Sequence, residues 1–124
     1  MDFNPATQTG SILRQWKTAF EERNVEALVA LYSAEAFLFG GKPTLAAGVD
    51  GIRAYFEALP TVPLLVNLEE QSVQLLAPTV ISTGGFVAFR RVNGPAARYR
   101  LTLTLVLSGT SWKIASHHAS PLPA

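Results

Sequence analysis

The 124-residue sequence predicts an α+β domain in which three N-terminal helices pack on one face of a strongly curved antiparallel sheet. Three observations predict it. Apolar residues recur at helical spacing through the first half, long strand-like runs fill the second half, and Pro, Gly and Asn fall singly or in pairs between them. Helices that precede a block of strands, instead of alternating with them, favour segregated layers over a doubly wound parallel sheet.

Ile12, Leu13, Trp16, Ala19 and Phe20 share one helical face, with Arg14, Lys17, Glu21 and Glu22 opposite, so the first element is an amphipathic helix. Asn24 is a side-chain cap for a second helix through Val25 to Tyr32. A brief strand over Ala36-Phe37-Leu38-Phe39 is broken by Gly40-Gly41-Lys42-Pro43. Ile52, Tyr55, Phe56 and Leu59 mark a third helix that ends before Pro60, with Asp50 near its start. Strands follow over Leu64 to Leu76, Val80 to Val92, Ala97 to Ser108 and Ser111 to Ala119, a meander in which Gly84-Gly85 is a candidate bulge.

A hydrophobic content of 48% fits one domain over residues 1–124 with a substantial core. Ten basic residues nearly balance nine acidic ones, so there is no broad field to attract nucleic acid or anionic lipid. Zero cysteines exclude disulfides, thiolate nucleophiles and cysteine-based metal sites. No apolar run approaches the roughly 20 residues of a membrane span, and the first residues lack a signal-like pattern, so a cytoplasmic protein is expected.

Both histidines lie in the last strand, Trp112 to Pro123, where proton chemistry near neutrality would be sought. A tight turn over Ser108 to Ser111 pairs Leu107 with Trp112, and an unbroken ladder then pairs Leu105 with Ile114, Leu103 with Ser116 and Leu101 with His118. This register puts His118 on the apolar face and His117 on the outer one. A four-residue loop from Asn93 to Ala96 sets Arg90 beside Tyr99, and Ser120 lies at the other side of that tyrosine. The expected site is a cavity between helices and sheet, with apolar walls and one polar end. A single bulge in the ladder reverses the facing.

Asn24 to Tyr32, Gly48 to Phe56 and Trp112 to Ser120 together make the chain resemble the nuclear transport factor 2-like superfamily, in its SnoaL-like and SgcJ/EcaC-type branch. The ending is also similar to that of the calcium/calmodulin-dependent kinase II association domain. The resemblance implies a cone-shaped, cystatin-like roll with an internal pocket. Superfamily members include isomerases, cyclases, dehydratases and scaffolds. Ketosteroid isomerase chemistry needs a carboxylate base, a tyrosine and a protonated aspartate. The resemblance places those roles at Gly40, Trp16 and Leu103 or Thr104, so all three are lost. The only aspartates are Asp2 and Asp50, the latter a helix-start charge.

His118 is either an acid or base aimed into the cavity or a residue that orients the strand end by bonding a carbonyl or Tyr99. Arg90, Arg91, Arg98 and Arg100 sit on one hairpin, where they either clamp an anion or pair with Glu69, Glu70 or a second subunit. Trp16, Phe39, Tyr55 and Trp112 are candidate walls that double as core. No third ligand accompanies the histidines, so no metal is expected, and no cofactor. The leading expectation is a homodimeric pocket protein for a small apolar molecule with a polar group. If it is an enzyme, its chemistry is proton transfer or hydration/dehydration with His118, Arg90 and Tyr99. The competing reading is a non-catalytic association domain that dimerises through the outer sheet face.

Overall fold

A computed structural model describes residues 4–123, so Asp2 lies outside the described residues. Helix α1 (Pro5–Glu21) starts where Asn4 Oδ1 accepts the N–H groups of Ala6 and Thr7 at 2.9 and 3.2 Å, with Pro5 in the first turn, where its missing N–H costs nothing. Its buried face is Thr9, Ile12, Leu13, Trp16 and Ala19, the expected stripe extended by one turn. Asn24 caps α2 (Val25–Val29) by accepting the Ala27 N–H at 3.0 Å. This helix is shorter than its periodicity suggests. The chain turns extended at Tyr32, because the Leu31 carbonyl is taken by the Ile114 N–H at 2.8 Å.

Strand β1 (Tyr32–Phe39) therefore begins four residues before the expected Ala36, and a two-residue β2 (Ala46–Ala47) follows it. Helix α3 (Gly48–Glu57) carries Asp50 in its first turn, and Arg53 ties it to α2 through Glu26 at 2.8 Å. Strands β3 (Leu65–Ala77), β4 (Val80–Arg90), β5 (Ala96–Ser108) and β6 (Ser111–Pro121) form the meander close to the expected limits.

The six strands lie in the order β2-β1-β6-β5-β4-β3. The expectation of a wholly antiparallel sheet is corrected at one seam: β1 runs parallel to β6. The hairpins fix β3 to β6 as antiparallel and leave one edge of β6 open, and β1, some eighty positions earlier in the chain, fills it. No local pattern carries that pairing.

Among the register irregularities of the described strands, one in β3 and one in β6 bear on the site. In β3, Glu69 and Glu70 oppose the single residue Phe86, while β4 pairs with β5 without interruption through Gly84 and Gly85. The extra residue is thus on β3, and Gly85 is its accommodation: a Cβ there would collide with the Glu70 carbonyl oxygen. In β6, Ala115 is the unpaired residue between Leu105↔Ile114 and Thr104↔Ser116.

The core lies between the helices and the concave face, where Leu38, Ile52, Ile81, Leu105 and Ile114 are all but sealed. Trp16 sits at its centre, stacked on Phe20 at 4.8 Å and edge-on to Phe56 and Phe89. Truncating such a ring to alanine costs about 3–5 kcal/mol. Glu21 latches the end of α1 to the start of β3: its carboxylate accepts from Lys17 and from the Val66 N–H, both at 2.8 Å. Partial burial pulls its pKa up, but these two hydrogen bonds and the Lys17 charge outweigh it and hold the carboxyl below its ordinary value.

Candidate functional site

The concave face and the helices leave a cavity of about 600 Å³. Trp16, Leu38, Phe56 and His117 form its buried floor, with Phe20, Leu59 and Phe89 along its walls. Its exposed rim carries Arg23, Arg90 and Arg91, with Tyr55 and Tyr99 between rim and wall. Among the described residues, no Asp or Glu lines it. The composition is that of a small-molecule pocket with cationic groups at its opening.

Two chain segments supply the three arginines. Arg23 stands at the α1–α2 turn with a left-handed φ of 57°, its guanidinium 3.5 Å from the Val62 carbonyl. Arg90 ends β4 and Arg91 opens the following loop, which closes where the Gly94 N–H donates to the Arg91 carbonyl at 2.9 Å. The loop has five residues, since Arg90 pairs with Ala96. Arg90 is accordingly not beside Tyr99, whose partner on β4 is Val87, and Ser120 pairs with Arg100. Arg90 and Tyr99 still meet at the cavity, from opposite sides of the hairpin. Arg98 takes the structural alternative and pairs with Glu69 at 2.8 Å, with its guanidinium over the Phe86 ring.

The histidine at the floor is His117. The expected facing is reversed by the Ala115 bulge: after it, His117 pairs with Leu103 and Ala119 with Leu101, so His117 shares the concave face with Ile114. It is 6% exposed, whereas His118 faces outward against Phe39, ring centroids 5.5 Å apart. His118 therefore lies outside the cavity, and Phe39 with it, on the outer face. Trp112 pairs with Leu107 near the far end of β6 and is not among the lining residues. Trp16 and Tyr55 do line the cavity.

His117 is held by two residues. The Tyr32 hydroxyl lies 2.8 Å from Nδ1 and receives the Trp16 indole N–H at 3.0 Å. Burial first, and the neighbouring His118 second, push the imidazole pKa down to about 3, so the ring is neutral near pH 7. Burial likewise raises Tyr32 far above its ordinary value, against the opposing hydrogen bond from Trp16. The Tyr55 hydroxyl accepts the Gly41 N–H at 3.1 Å, and burial raises its pKa as well. A Cβ at Gly40 would meet the Tyr55 hydroxyl, so a larger residue there would have to push the Tyr55 ring aside.

Tyr32, His117 and Arg23 escape a sequence reading. Tyr32 completes a helical period, and His117 is read by strict alternation as outward. The one available signal is chemical: a histidine on a buried face needs a polar partner, and here the partner is 85 positions away.

Residues 10–124 match the model of the SnoaL-like domain. A Xanthomonas campestris protein provisionally named a calcium/calmodulin-dependent protein kinase II association domain has the same fold, with a TM-score of 0.88 at 23% identity over 98% of this chain and 90% of that one. A Nostoc punctiforme protein of unknown function with a cystatin-like fold superposes with a TM-score of 0.87 at 12% identity, covering 100% of this chain and 97% of the other. A provisionally named scytalone dehydratase from Novosphingobium aromaticivorans gives 0.78 at 13%, over 95% and 84%. At these identities the likeness carries the fold alone. No protein with a curated function matches the chain.

Proposed function

The chain belongs to the SnoaL-like family, and from that premise we propose that it binds a small, largely apolar molecule bearing an anionic group. The observation that carries this is the charge pattern of the cavity: three rim arginines from two chain segments, an aromatic interior, and no acidic lining residue among those described. A guanidinium matches a carboxylate or sulfonate in a bidentate fashion, and the apolar body of the ligand replaces water against Trp16, Phe20 and Phe56. Arg90, Tyr99, Trp16 and Tyr55 are its proposed contacts.

Fluorescence titration with 1-anilinonaphthalene-8-sulfonate and with the uncharged N-phenyl-1-naphthylamine tests it. Arg90→Ala combined with Arg91→Ala is expected to weaken the sulfonate about three- to tenfold, the range for losing exposed charge-assisted bonds, and to leave the neutral amine nearly unchanged. Equal losses for both probes, or binding of neither, would overturn the proposal.

Turnover is a narrower proposal. Hydration/dehydration or proton transfer is supported by likeness to a provisionally named dehydratase, and His117 with its depressed pKa is a poor base for it at neutral pH. The second reading is homodimerisation through the outer sheet face, with the cavity incidental. Phe37 and Phe39 favour it, since they are 42% and 40% exposed side by side there. Sedimentation velocity at micromolar concentration tests this, and a monomer would remove it. Cytoplasmic residence stays part of the proposal, to be checked by cell fractionation.

A further inference from the structure

An indole N–H can only donate, so the 3.0 Å contact between Trp16 Nε1 and the Tyr32 hydroxyl has one polarity: the tyrosine oxygen accepts. Among the described residues its one other hydrogen-bond partner is His117 Nδ1 at 2.8 Å, the acceptor available to the tyrosine proton. A ring nitrogen that accepts carries no proton. With the hydroxyl donating to Nδ1, the single proton of a neutral imidazole falls on Nε2. No hydrogen bond within the described residues occupies Nε2, while the ring lines the cavity floor. The ring is also clamped, lying nearly parallel to Tyr32 with a 12° interplanar angle and 6.1 Å from the Trp16 ring.

We propose that the Trp16–Tyr32–His117 relay presents the His117 Nε2–H to the cavity as a fixed, uncharged donor, so that the ligand carries a carbonyl oxygen at its buried end. This inference rests on the pocket reading above and adds a second recognition point to it. The rim arginines select charge, and the floor selects an acceptor. A ligand whose inner end can only donate would face another donor at the cavity floor and is disfavoured, because neither group could pair with the other. An ester, amide or ketone carbonyl is satisfied without a buried charge.

The test uses protein labelled with ¹⁵N-histidine, which has two rings to assign, and a matched probe pair, 6-acetyl-2-naphthoate and 6-isopropenyl-2-naphthoate, identical in shape except that C=O replaces C=CH₂. The expected spectrum has His117 Nδ1 unprotonated and Nε2 protonated, unchanged between about pH 5 and 8. The acetyl compound is expected to bind about two- to tenfold more tightly than its partner, the range of one neutral hydrogen bond, and to move the Nε2 signal. Tyr32→Phe, which keeps the ring, is expected to draw the two nitrogen signals together as both tautomers populate. His117→Phe is expected to erase the preference between probes. A proton on Nδ1, protonation of His117 within that pH range, or equal affinities for the two probes would overturn the proposal while leaving the pocket reading intact. Failure of both naphthoates to bind would overturn the pocket reading, and this inference with it.

Discussion

Tyr32→Phe removes one oxygen and leaves two buried groups without partners. The Trp16 N–H loses its acceptor at 3.0 Å, and His117 Nδ1 loses its donor at 2.8 Å. Both flanking residues are buried, at 7% and 6% exposure, so water does not readily replace the hydroxyl. A buried group left unsatisfied costs about 1–3 kcal/mol. Two of them, with some relaxation of the rings, amount to about 2–4 kcal/mol. For a chain of this size that corresponds to a fall in Tm of roughly 6–20 °C. Tyr55→Phe is the matched control, because its hydroxyl is reached by one exposed N–H, that of Gly41 at 3.1 Å, and its loss is expected to cost under about 1 kcal/mol. Urea unfolding followed by both tryptophan fluorescence and far-ultraviolet circular dichroism would measure the two variants, with coincident transitions licensing a two-state free energy. A Tyr32→Phe protein within about 0.5 kcal/mol of the parent, or two variants equal to one another, would refute the reasoning that the relay is a closed hydrogen-bonded unit.

The pH dependence of stability should carry the signature of His117. Its pKa is about 3 folded against an ordinary 6.5, so the unfolded chain binds a proton that the native chain refuses, and stability falls as pH drops below 6.5, by up to about 1.4 kcal/mol per unit. Glu21, held below its ordinary 4.5, has its contribution lost only at lower pH, so the interval from 6.5 to 4.5 isolates the histidine. His117→Phe is expected to flatten denaturation midpoints across that interval, and an unchanged slope would show that the ring titrates normally. Gly85→Ala would drive a methyl into the Glu70 carbonyl and should destabilise by about 1–3 kcal/mol, whereas Gly84→Ala, whose nearest neighbour is Thr102 Cγ2 at 3.7 Å, should stay within about 0.5 kcal/mol. Equal thermal midpoints for the two alanine variants would remove the bulge argument. Gly40→Ala should displace the Tyr55 ring and change affinity for 1-anilinonaphthalene-8-sulfonate at least about twofold with little loss of stability, because the obstructing atoms belong to a side chain free to move. Unaltered binding would show that the ring does not shape the cavity.

The meander was readable because each strand announces itself by alternation and each turn by Gly, Pro or Asn, and its four strands lie within a few residues of the expected limits. The first helix was readable for the same reason, one amphipathic stripe ending in a capped turn. What escaped depends on partners distant in the chain. Tyr32 has helical spacing, yet its backbone joins Ile114 and its hydroxyl joins His117. Arg90, Tyr99, Trp16 and Tyr55 all line the cavity, although the ladder that set Arg90 beside Tyr99 was displaced by a loop one residue longer than expected. The choice between two adjacent histidines does not tolerate such a displacement. Ladder parity propagates every local irregularity to the strand end, and Ala115 has no sequence mark that distinguishes it from a paired residue.

That parity bears on how knowledge would be carried between distant members of the family. His117 and His118 are one word in the sequence and two unrelated addresses in space, the first a buried ring in a relay and the second a solvent-side neighbour of Phe39. At 12–23% identity, an alignment that opens its gap on the wrong side of Ala115 equates these environments without any visible error. The residue to match in a relative is the one facing Leu103 across one seam of the sheet and Leu38 across the other, whatever letter stands beside it.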